Sequence, residues 1–190
     1  MESLFISTGV VALAEIGDKT QLLAFILAAR FRKPAPIIAG ILIATLFNHG
    51  IAGALGAWIM SAVNPAILRW VLGLSFIGMA AWTLIPDKIE EEETQVAHRF
   101  GVFGATLVTF FLAEMGDKTQ LATVALAAHY GAPVLVIAGT TLGMLIADVP
   151  AVFVGEHFAQ KIPMKVVHTI AALIFAVMGV LTLFKIDTAF

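Results

Sequence analysis

The chain has 190 residues, of which 60% are apolar and only 13% charged, with a mean hydropathy of +0.98; ordinary soluble domains carry roughly 45–50% apolar residues. Such a composition marks a membrane protein, and the length suits one compact helical bundle. The net charge of −2 argues against nucleic acid or a strongly charged macromolecular partner, and the lack of cysteine excludes disulfides, thiolate metal sites and cysteine nucleophiles.

The first apolar stretch, residues 4–29, is long enough to cross a bilayer as a helix. It carries Glu15-Ile16-Gly17-Asp18-Lys19-Thr20 near its middle. An ionisable side chain at the bilayer centre costs roughly 2.5–3.5 kcal/mol, so three in one span require a purpose. Glu2 stands where a signal peptide would carry basic residues, so residues 1–28 do not read as a cleavable signal. Arg30 to Pro34 close this span. The second, 35–61, holds Asn48 and His49, with Gly50, Gly53 and Gly56 as surfaces for tight helix contact. Asn64-Pro65 opens the third, 65–85. Residues 86–99, acidic through Asp87 and Glu90 to Glu93, form the evident linker and read as a solvated connector more readily than as a collector of cations.

The fourth span, 100–128, repeats the charged string as Glu114-Met115-Gly116-Asp117-Lys118-Thr119. Gly131-Ala132-Pro133 precedes the fifth, 133–156. There Asp148 stands two residues before Pro150, whose ring deprives the Ile146 carbonyl of its helical partner and predicts a kink. Ile162-Pro163 opens the sixth, 163–184. Trp58, Trp70 and Trp82 suit interface anchors or bundle filling. Glu156, His157 and His168 fall near span ends and receive no role.

The two strings are part of a longer match at a spacing of 99 residues: Ala28-Ala29 answers Ala127-Ala128, Pro34 answers Pro133, Ala39-Gly40 answers Ala138-Gly139, and Gly56 answers Gly155. Three spans per half make the second half enter from the opposite side. The expected fold is therefore an all-α integral membrane protein of six transmembrane helices, built as inverted-topology three-helix repeats over 1–85 and 100–190 around a cytoplasmic linker at 86–99. Arg30, Arg32, Lys33, Lys88, Arg99, Lys161 and Lys165 fall on one side, against Arg69 and Lys185 on the other. The positive-inside rule then puts both termini on the non-cytoplasmic side.

On one continuous helix, residues three apart share a face, so Glu15 should point with Asp18 and Glu114 with Asp117. If the halves bring their first spans together, four carboxylates converge and must be neutralised by protons or cations. Lys19 and Lys118 can reach back one turn toward Glu15 and Glu114. Four negative and two positive charges then leave −2, which one divalent cation or two protons would balance. All-oxygen ligands favour Ca²⁺, Mn²⁺ and Mg²⁺ over Cu and Zn. Thr20, Gln21, Thr119 and Gln120 are candidates for further neutral oxygens. Asn48 and Asp148 are candidates for a ligand or path role, although Asn48 equally suits an interhelical hydrogen bond; His49 reads as a bundle residue before a proton relay. Gly17 and Gly116 fit two roles equally, loosening the helix to offer carbonyls or packing a crossing helix. Purely structural Glu–Lys pairs would leave Asp18 and Asp117 unexplained.

The doubled Glu-x-Gly-Asp-Lys-Thr, one copy in the first span of each half, is similar to the hallmark of the Gdt family, part of the second calcium:cation antiporter group. That family includes bacterial manganese exporters of the MneA type and Golgi manganese/calcium transporters. The resemblance covers essentially the whole chain. It implies a six-helix transporter that exports Mn²⁺, or moves Ca²⁺ in some members, against protons, with metal ligands at Glu15, Asp18, Glu114 and Asp117 and with Lys19 and Lys118 balancing charge. The expected partners are the divalent ion, protons and the lipid bilayer, with no resident cofactor beyond the transported ion. The long N-terminal region of the Golgi relatives has no counterpart, so the chain looks like a prokaryotic member in an inner membrane.

Three readings compete. An intramembrane aspartyl protease would use Gly17-Asp18 and Gly116-Asp117, but Lys19 and Lys118 would keep those acids ionised where a shared proton is needed. An exporter of organic solutes should display more hydrogen-bond donors and fewer bare carboxylates. A non-transporting assembly factor would tolerate Asp18→Asn. The chain is read as a transporter and not an enzyme.

Overall fold

The computed structural model describes residues 1–85, 101–154 and 164–184, and every regular element in them is a helix. In chain order these are α1 (Glu2–Glu15), α2 (Lys19–Phe31), α3 (Pro34–Ala62), α4 (Pro65–Thr83), α5 (Gly101–Glu114), α6 (Lys118–Tyr130), α7 (Pro133–Val154) and α8 (Met164–Phe184). The linker 86–99, with Lys88 and Arg99, and Gly155, Glu156, His157, Lys161 and Lys185 lie outside the described residues.

Four of the six expected spans form as single helices long and apolar enough to cross a membrane: Pro34–Ala62, Pro65–Thr83, Pro133–Phe153 and Lys165–Phe184. The first and fourth do not. Each is two helices of 14 and 13 residues, about 20 Å apiece and too short to cross alone. The interruptions fall at Gly17, with φ 86°, and Gly116, with φ 79°, a left-handed conformation that glycine adopts without a Cβ penalty. One tight turn bridges each gap, with the Asp18 N–H donating to the Glu15 carbonyl at 3.0 Å and Asp117 N–H to Glu114 carbonyl at 3.1 Å. The expectation that Glu and Asp share one helical face is therefore corrected: Glu15 and Glu114 end one helix, and Asp18 and Asp117 cap the next.

Local signals set the other boundaries. Pro34, Pro65 and Pro133 each occupy the first position of a helix, where the missing N–H costs nothing. Asn64 caps α4 by accepting from the Ala66 N–H at 2.9 Å. α2 and α6 end alike: Arg32 at φ 53° and Gly131 at φ 62° turn left-handed, their N–H groups bonding the carbonyls of Ala28 and Ala127. α7 continues through Pro150.

The halves interlock by exchange. α1 packs on α7, and α3 packs on α5 and α6. Glycines allow that approach: a Cβ at Gly139 would meet the Leu4 carbonyl at 2.5 Å and Ser7 Cβ at 2.9 Å, while one at the matching Gly40 would meet Thr106 Cβ at 2.7 Å. Thr106 itself aligns with Ser7 at the 99-residue spacing. α4 and α8 pair with each other, backbone close to backbone at Gly73 and Gly179. One apolar cluster joins α1 and α6 to α4, α7 and α8 through Val10, Phe76, Leu126 and Phe175. A second joins α2 and α5 to α3 and α7 through Leu23, Ile41, Phe110 and Ala151. Trp58 and Trp70 are exposed on the outer surface, as lipid-facing or interfacial side chains would be.

Candidate metal centre

Because each break ends one helix at a glutamate and starts another at an aspartate, it puts a buried acid on both sides of the gap. Glu15, Glu114 and Asp117 are buried and offer carboxylate oxygens that all lie within 4.8 Å of one another. Three ionised carboxylates at that spacing repel by about 3 kcal/mol per pair at an effective dielectric of about 20, so the arrangement demands protons or a cation. Oxygens bound to one Ca²⁺ at about 2.3–2.6 Å can sit up to about 5 Å apart, and the observed spacing falls inside that reach. Glu15 Oε1 and Glu114 Oε1 are buried and accept no hydrogen bond among the described residues. Buried carboxylate oxygens without a hydrogen-bond partner, on acids this close together, are the chemistry expected of a site for a hard cation.

The remaining motif residues hold these acids in place. Thr20 Oγ1 donates to Glu15 Oε2 at 2.6 Å, and Thr119 Oγ1 donates to Glu114 Oε2 at 3.1 Å. Gln21 Oε1 accepts from the Gly17 N–H at 3.0 Å, and Gln120 Oε1 from the Gly116 N–H at 2.7 Å. Each glutamine thus closes a ring across its break and satisfies an N–H that the left-handed turn removes from the helix. Gln21 also donates Nε2 to the Ala147 carbonyl at 2.9 Å, joining α2 to α7. The side chains proposed from sequence as neutral ligands are engaged in orienting the acids and the turns.

The lysines correct a second expectation. The lysine ion pairs seen among the described residues are with aspartates and not with the glutamate of the same repeat. Lys118 Nζ lies 3.1 Å from Asp18 Oδ1 and Lys19 Nζ 3.9 Å from Asp117 Oδ1, so both pairs cross between the repeats. The reason is the break: with Glu15 and Glu114 ending the preceding helix, the acids across the gap in the other repeat become the near neighbours. Asp18 stands with Lys118 rather than in the close cluster of the other three acids.

Asp148 is fully buried on α7, within Coulombic range of Glu15 and Glu114, and among the described residues neither of its carboxylate oxygens has a hydrogen-bond partner. Asn48 donates Nδ2 to the Phe111 carbonyl at 3.1 Å and leaves Oδ1 unbonded. His49, which aligns with Asp148, is fully buried, and its ring nitrogens have no hydrogen-bond partner among the described residues. Sequence reasoning passed over His168. Its Nε2 lies 2.9 Å from the Ile16 carbonyl, inside the first break, so α8 touches the turn between two candidate ligands. No pattern in the sequence marks it, because the contact depends on how α8 lies across α1.

Comparison with known proteins places the chain. The profile of the family described as "Divalent cation/proton antiporter GDT1" matches residues 3–91 and 102–189. A protein of Vibrio cholerae serotype O1 named "Putative manganese exporter" is 51% identical over 185 residues, covering 97% of this chain and 92% of the relative. "GDT1-like protein 3" of Oryza sativa subsp. indica is 30% identical over 92% of this chain and 71% of its own length, and "GDT1-like protein sll0615" of Synechocystis is 27% identical over 90% and 92%. No solved structure matches. The chain belongs to the GDT1 family of divalent cation/proton antiporters and is an integral membrane transporter of divalent cations.

Proposed function

We propose that this protein exports a divalent cation, Mn²⁺ foremost and Ca²⁺ as the alternative, in exchange for protons, through the enclosed site built by its two Glu-x-Gly-Asp-Lys-Thr motifs. The observation that carries the reading is the convergence of Glu15, Glu114 and Asp117 within 4.8 Å, buried, at two breaks in separate halves of the chain. Asp18 completes the ligand set from its place at the first break. Asp148 lies beside the site as a further path residue. The metal is cargo, so its binding must be reversible.

In this reading α1 with α2, and α5 with α6, each cross the membrane as one broken span, and α3, α4, α7 and α8 supply the other four. Three crossings per half invert the second repeat. The two stretches matched by the family profile and the glycine contacts exchanged between halves support that symmetry. Broken helices meeting at midplane are the recurrent means by which inverted-repeat transporters build ion sites. Both termini then face away from the cytoplasm, in a prokaryotic inner membrane, with residues 86–99 as the cytoplasmic connector between the repeats at 1–85 and 100–190. Four acids and two lysines leave a charge of −2, which one divalent cation or two protons neutralise; this equality is the physical basis of exchange. The Vibrio relative's name agrees with Mn²⁺ as cargo.

The test is Mn²⁺ and Ca²⁺ flux into proteoliposomes with and without an imposed pH gradient, comparing the native chain with Asp117→Asn at matched incorporation. Flux that the gradient accelerates and the substitution abolishes supports the proposal. Unchanged flux in Asp117→Asn removes the carboxylate site, and indifference to the gradient removes proton exchange.

A further inference from the structure

The motif lysines are the least expected part of the site. An ammonium group is strongly hydrated and rarely fully buried, yet the side chain of Lys118 is only 2% exposed and that of its partner Asp18 1%. The Lys118 Nζ donates a 3.1 Å hydrogen bond to Asp18 Oδ1, and its charge also reaches Glu15. The matching pair in the other direction is looser: Lys19 lies 3.9 Å from Asp117 and its side chain is 16% exposed. The two repeats are equivalent in sequence at these positions, so composition does not explain the difference. Lys118 is buried with Asp18, and Lys19 is partly exposed beside Asp117.

We propose that the Lys118 ammonium is a tethered stand-in for the cargo: it holds Asp18 while the site is empty and must be displaced from it before a divalent cation can take that carboxylate. The inference rests on the divalent-cation site of the preceding section and adds a competitor to it. A +1 charge sharing a carboxylate with an incoming +2 ion opposes that ion at short range and low effective dielectric. The same charge keeps the empty cluster compensated, so the metal-free carrier avoids exposing four uncompensated acids to the bilayer while it resets. A lysine whose role was to brace the fold would do the reverse, because its loss would loosen the site and weaken metal binding.

That opposition of sign makes the test decisive. Mn²⁺ affinity of the purified full chain in detergent, read from the free-ion electron paramagnetic resonance signal, is compared for the native protein, Lys118→Gln and Lys118→Arg. The expected result is binding tightened about tenfold or more in Lys118→Gln and kept near native in Lys118→Arg, which retains the charge. Unchanged or weaker binding in a Lys118→Gln protein with native thermal stability overturns the proposal. Should Lys118→Gln fail to fold, a Ca²⁺ titration of the native protein with ¹³Cε-labelled lysine decides by NMR. A lysine resonance that moves with Ca²⁺ and is missing in Lys118→Arg supports displacement, and a resonance that stays fixed through saturation overturns it. Native protein that binds neither ion refutes the site itself and this inference with it, whereas native binding without the gain in Lys118→Gln refutes the inference alone.

Discussion

Gly116→Ala isolates the left-handed turn on which the site depends. The residue has φ 79°, and a Cβ built there meets nothing within 4 Å, so the substitution adds no clash. Its cost is that of forcing an L-residue into the left-handed region, about 1–2 kcal/mol. At about 2–4 °C per kcal/mol for a chain of this size, Tm falls by about 2–8 °C. The alternative open to the variant is to straighten the break into continuous helix. That relieves the strain but rotates Asp117 by about 100° per added helical residue and carries it away from Glu114. The first route lowers stability with the carboxylates kept in place, and the second weakens metal binding. Gly9→Ala is the control, since Gly9 lies in the interior of α1 with open space around a Cβ; it should gain up to about 1 kcal/mol from helix propensity and leave binding unchanged. The assay is thermal unfolding in detergent paired with Mn²⁺ titration. If Gly116→Ala keeps both native stability and native affinity, the turn is not what brings the carboxylates together.

Two further outcomes follow from contacts of the site and its rim. Thr20→Val removes the 2.6 Å bond to Glu15, worth about 1.5–3 kcal/mol for a charged acceptor, and should weaken Mn²⁺ binding about tenfold or more; Thr20→Ser should restore it, and equal loss in both would assign Thr20 a packing role. His168→Ala frees the Ile16 carbonyl and should slow maximal transport more than it changes apparent Mn²⁺ affinity, because it detaches α8 from the break without touching a candidate ligand; an affinity loss with unaltered maximal rate would contradict this.

The acids of the site were legible because charge in an apolar run is costly and the run occurs twice. The expectation was of four acids together, and the group that lies within 4.8 Å is Glu15, Glu114 and Asp117, with Asp18 beside Lys118. The geometry of their convergence was not legible. Gly17 and Gly116 fit packing and loosening equally well on paper, since a glycine's φ depends on what the surrounding helices do with the chain. Placing Glu and Asp on one helical face followed from continuing the helix through Gly17 and Gly116, and the left-handed turns end it there. Thr20, Thr119, Gln21 and Gln120 carry the right oxygens for ligands, but after a break those oxygens lie nearest a glutamate and a freed N–H. His168 sits among apolar neighbours in the sequence and gains meaning only from the packing of α8 on α1.

From the sequence alone came the apolar spans, the duplication and the identity of the charged residues, because hydrophobic transfer and ionisation are properties of side chains and their spacing. Tertiary structure decided which charge faces which: the lysine of each repeat reaches the aspartate of the other, one pair tight and one loose. Local periodicity cannot encode that pairing, since it arises only where two interrupted helices from opposite halves are packed end against end.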